Sequence, residues 1–142
     1  MPRPVELIAE RSNDTRLDPF AFLAPFETDR MGARALFLWV SAPQNKGPLA
    51  DPRILCDGKS MDLPAERRAL PELGVSGAPY PAPAPWSAQW YFRLSGEVLD
   101  CFAGATRIRV VTQAADAAEP DSYTADGAAI SGLGSFVSRV RT

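Results

Sequence analysis

Histidine is absent from all 142 residues, and that absence removes much of the familiar hydrolytic chemistry. Without an imidazole there is no Ser-His-Asp triad, no Cys-His pair, no His-ligated zinc and no ordinary switch near neutral pH. Lysine is scarce as well: only Lys46 and Lys59 are present, and the other basic side chains are arginines. With the abundance of Ala and Pro, this points to a GC-rich, bacterial genome. Two cysteines, Cys56 and Cys101, are too few for a four-ligand metal site. They form one disulfide or pack as small apolar side chains, and their spacing leaves that choice open, and the compartment with it. No apolar run approaches the ~20 residues that span a bilayer. Glu6 and Glu10 bracket the only apolar stretch near the N-terminus, which is too short for a leader. The expectation is therefore a soluble cytoplasmic protein if that N-terminus is native, and a periplasmic or secreted one if a leader has been removed.

Charge of one sign is also lacking. The 15 basic and 17 acidic residues sum to −2 and are scattered without a block, so no long-range field favours nucleic acid or an anionic membrane. What remains is ordinary globular material. Hydrophobic residues make up 46% and charged residues 23%, and the length suits one domain over 1–142 that buries a sizeable core.

The patterning is mostly that of strands. Val5, Leu7 and Ala9 alternate with Glu6, Ile8 and Glu10. Phe20 to Phe26 carries three phenylalanines of one parity, and Pro25 suggests an edge strand or an extended segment laid over the core. Ala33–Ser41 is apolar on both faces and should be central or covered on both sides. Asp57-Gly58 marks a tight hairpin between Arg53–Cys56 and Lys59–Leu63, because a type I′ turn needs two residues that tolerate positive φ. A helical turn is expected over Ala65–Leu73. Pro79, Pro81, Pro83 and Pro85 recur every second residue, out of step with the three-residue repeat of polyproline II, so they read as a stiff spacer and not as a docking peptide.

Trp86, Ala88, Trp90, Phe92 and Leu94 then share one face of a half-buried strand, with Ser87, Gln89, Tyr91 and Arg93 on the other. Val98, Cys101, Phe102 and Ala105 have helical spacing behind a Ser95 N-cap. Strand alternation returns at Thr106–Thr112 and briefly at Tyr123–Ala125. Leu133, Phe136, Val137 and Val140 mark a C-terminal amphipathic helix. Together these elements suggest a mainly β protein: a single antiparallel β-sandwich, or a Greek-key-like barrel, of about seven strands with one or two short helices.

Chemistry is harder to find. Asp116, Glu119, Asp121 and Asp126 could offer oxygen ligands but match no calcium-loop spacing, so no metal site is assigned. Asp57 is explained by the hairpin turn, which leaves Asp57 and Asp62 without reason to act as an acid and base pair. Cys101 has no histidine to activate it. Gly132-Leu133-Gly134 lacks the third glycine of a dinucleotide loop, so no cofactor is expected. If the strands carrying them pair, Gln89, Tyr91, Arg93, Arg107 and Arg109 form one outward Arg/Tyr surface, the best candidate for binding. The charge balance argues against nucleic acid as its ligand. The favoured function is a non-catalytic binding or assembly module, with a protein partner or a second copy as the occupant. A carbohydrate-binding β-sandwich and a small carboxylate- or metal-dependent hydrolase are the alternatives.

Overall fold

The computed structural model describes residues 4–10, 20–30, 32–44, 47–61, 63, 65, 87–115 and 119–140. Within them, β1 (Val5–Ala9), β2 (Phe20–Arg30), β3 (Ala33–Pro43), β4 (Arg53–Cys56), β5 (Lys59–Ser60), β6 (Ser87–Arg93), β7 (Arg107–Thr112) and β8 (Asp121–Asp126) form one antiparallel sheet. Its strand order is β5-β4-β7-β8-β1-β2-β3-β6, and it curls into a half-barrel. Two helices complete the fold of the described residues. They are α1 (Gly96–Ala103) and α2 (Ser131–Val140), the second entered through a 3-10 turn at Gly127–Ile130. The chain is thus mainly β and antiparallel, with two short helices among the described residues. Where facing sheets of a sandwich were expected, the described residues hold a single sheet whose inner layer is helical. Val98, Leu99 and Phe102 of α1, with Leu133, Phe136 and Val137 of α2, join the inner-face residues of the strands in one core. Burying each of these side chains contributes about 2 kcal/mol.

Several elements follow the sequence pattern closely. Asp57 (φ 51°) and Gly58 (φ 85°) make the tight turn between β4 and β5, and the Met61 N–H extends that hairpin to Ile54 O at 2.8 Å. The Ser95 hydroxyl accepts from the Val98 N–H and caps α1. Phe37 and Leu38 point to opposite faces of β3, yet both are buried: Leu38 lies in the core beneath the helices, and Phe37 in a smaller cluster with Ala24, Phe26 and Trp39 on the outer face.

Two expectations need correction. Pro25 does not mark an edge: β2 lies between β1 and β3. The described register with β1 runs from Phe20 to Leu23, and Pro25 itself stands in register with Leu38 of β3. Ala65, expected to open a helical turn, instead pairs with Phe92 of β6. The remainder of that turn, the proline spacer, Trp86, Asp62 and Asp116 lie outside the described residues.

The Ala65–Phe92 pair also measures the curl. Five residue steps separate Ser60, the end of β5, from Ala65, and five steps reach at most ~18 Å. The opposite edges of the sheet therefore approach each other closely. Cys56 of β4 and Cys101 of α1 are joined as a disulfide across this opening, which resolves the choice the spacing left open.

Candidate functional site

The outer face of the sheet carries both groups of residues that the sequence singles out, but at different ends. Gln89, Tyr91 and Arg93 project from β6, opposite Ser41, Trp39 and Phe37 of β3. Arg107 and Arg109 project from β7, and four strands (β8, β1, β2 and β3) stand between β7 and β6. The pairing that would have merged them into one Arg/Tyr surface does not occur, so they are two separate places.

At the β6 end the outer face is aromatic. Phe26 stacks on Phe37 with ring centroids 5.6 Å apart, and Tyr91 meets Phe26 edge-on at 6.0 Å. The Arg93 guanidinium lies over the Phe37 ring at 5.6 Å, a cation–π contact. The Trp39 indole donates to Gln89 Oε1 at 2.8 Å. Gln89, Tyr91 and Arg93 thus pack on a second, smaller apolar cluster, with Ala24, Phe26, Phe37 and Trp39 buried at its centre. Burial pushes the Tyr91 phenol above its usual pKa, since the charged phenolate loses hydration there. Of the two tryptophans expected to face the core, Trp90 packs on the inner cluster, and Trp86 lies outside the described residues.

The cluster opens toward β1 and β2. Ile8 and Phe20 stand opposite each other in the register of β1 and β2, and they expose 56% and 37% of their surface. Phe22, half-buried, continues the apolar strip toward Trp39. Sequence reasoning passed over both exposed residues. Ile8 sat in plain view as an apolar residue between Glu6 and Glu10 on a polar face. Phe20 shares with Phe22 and Phe26 the sequence pattern of a segment laid over the core, but of the three only Phe26 is fully buried.

At the other end, Leu55, Asp57, Thr106, Arg107, Arg109 and Asp126 line a shallow groove of about 500 Å³. Its charges are largely spent within the protein. Asp57 Oδ1 accepts from the Thr106 N–H at 2.9 Å, the Thr106 hydroxyl at 2.8 Å and the Arg107 N–H at 2.8 Å. Those donors hold its carboxyl below the usual range, the Thr106 amide most strongly. Arg109 Nε donates to Glu10 Oε1 at 2.9 Å, and the Thr124 hydroxyl donates to the same oxygen. The Thr124 bond, with the Arg109 charge behind it, lowers the Glu10 pKa. Arg107 faces Asp126 across the strand pair at 3.9 Å. Among the described residues, no three carboxylates or cysteines converge as metal ligands.

This chain matches no family model, no curated protein and no solved structure.

Proposed function

We propose that the protein is a non-catalytic assembly module whose outer face, at the β1–β2–β3–β6 end, packs against the same face of a second copy. The observation that carries the reading is the register pair Ile8–Phe20, two large apolar side chains exposed side by side on a structured sheet. They continue into the aromatic cluster, so the strip rests on rigid support and binding would cost little ordering. Charge favours a second copy as the occupant. Glu6 flanks the strip on β1 and Arg93 flanks it on β6, both exposed. A two-fold axis between facing sheets, perpendicular to the line from Glu6 to Arg93, sets each carboxylate opposite the partner's Arg93.

The alternatives draw less support. A sugar stacks on an open ring face, whereas Trp39 is buried, Tyr91 is half-buried against Phe26, and Trp90 faces the core. A carboxylate hydrolase needs an acid with a raised pKa, whereas Glu10, Glu27 and Asp57 are all shifted downward.

Light scattering over a concentration series tests the proposal. The wild-type chain should form a dimer, Ile8→Glu should be monomeric, and Glu6→Arg and Arg93→Glu should each weaken association. The two charge reversals combined should restore it. A wild-type protein that stays monomeric at every concentration overturns this reading.

A further inference from the structure

We propose that α1 is a redox-releasable strap across the opening of the half-barrel, fastened by the Cys56–Cys101 disulfide. At one edge of the sheet the helix is continuous with β6: Leu94 donates its N–H to Leu36 O of β3, and Ser95 caps the first turn. Toward the other edge, Cys101 is bonded to Cys56, the last residue of β4. One helix therefore ties both sides of the open sheet together.

The polar tie along this line is weak. Lys59 of β5 pairs with Glu97 at 3.2 Å, but both side chains are 68% exposed, and such a pair contributes little and is screened by salt. The apolar hold consists of Val98, Leu99 and Phe102. Eight residues are too few for a helix to persist alone in water, so α1 stays folded only while it is held. Gly134 of α2 lies against the Ala103 carbonyl, which couples the second helix to the same strap.

The two cysteines differ in burial: Cys56 is wholly buried, whereas Cys101 as a residue is partly exposed. A thiolate from an external dithiol attacks Cys101 Sγ, forming a mixed disulfide and expelling the Cys56 sulfur, which takes up a proton. The second thiol of the reductant then displaces Cys101 as a thiol and leaves as the oxidised disulfide, so two electrons and two protons pass to the protein. Once reduced, α1 lifts away from β4 and uncovers the inner face.

Hydrogen exchange of the full chain, before and after dithiothreitol without denaturant, tests this. Two thiols should become titratable, and amide protection should be lost in α1 and the β4–β5 hairpin while β1, β2, β3 and β8 keep theirs. The Cys56→Ser/Cys101→Ser variant should show the reduced pattern; if it fails to fold, the reduction of the folded protein still supplies the comparison. Lys59→Ala with the disulfide intact should leave α1 protected. Reduction that requires denaturant, protection that does not change, or protection lost uniformly along the chain would each overturn the proposal.

Discussion

Asp57 holds two structures together from one position. Its backbone takes the positive φ of the turn, while its carboxylate gathers three donors from Thr106 and Arg107 at the start of β7. The first role was legible, because Asp-Gly after an apolar run has a local cause. The second was not, since its donors lie some fifty positions further along and no local pattern announces them. Asp57→Ala removes both roles and should lower the melting temperature more than Asp57→Asn, which keeps the turn preference and loses the charge. The pH dependence has a definite sign. The folded pKa values of Asp57 and Glu10 are depressed, so their contributions are present above the unfolded values of about 4. They are lost as pH falls through the lower folded values. Melting curves across that acid range should show a decline in the wild type, and Asp57→Asn should lose part of it.

Among the elements, legibility followed periodicity. Ser87–Arg93, the hairpin and α1 stand where alternation or helical spacing is clean. The C-terminal helix forms although Gly132 and Gly134 oppose it by propensity, and the structure gives them different standing. A Cβ at Gly132 would touch nothing within 4 Å, whereas one at Gly134 would stand 3.3 Å from the Ala103 carbonyl oxygen. Gly134 is thus a contact residue that lets α2 approach the end of α1, and Gly132 is free to change. Gly132→Ala should stabilise the protein by about 0.5–1 kcal/mol. Gly134→Ala should gain distinctly less, because the same helical preference is spent against the carbonyl contact. Urea unfolding of the two variants side by side checks the ordering, and equal gains would contradict the close approach. Phe20–Phe26 departs from its expectation for a different reason: the edge rule for proline concerns one N–H of a ladder, whereas nine register pairs with β3 and four with β1 hold β2 inside the sheet.

At the scale of the whole molecule, composition and alternation settled β content, antiparallel character and short helices, but not the number of sheets. Strands that bury one face look the same in sequence whether a second sheet or a pair of helices covers them. The helices fill that place here, and the single sheet is left with two edges that must be brought together. The Ala65–Phe92 pair does part of this, and the disulfide does more. Its partners are 45 positions apart, and closing a loop of that length removes enough freedom from the unfolded chain to contribute about 4 kcal/mol in the chain-entropy account. For a domain of ordinary stability, 5–15 kcal/mol, that is a large share. Replacing both cysteines by alanine should therefore lower the unfolding free energy by about 4 kcal/mol, read from denaturant midpoints against the oxidised wild type. The substitutions are made together so that no unpaired thiol remains to exchange. A loss well under 1 kcal/mol would mean that the unfolded chain already keeps the β4–β5 hairpin near α1, and that the edges of the sheet are drawn together by the apolar core of the two helices instead of by the covalent tie.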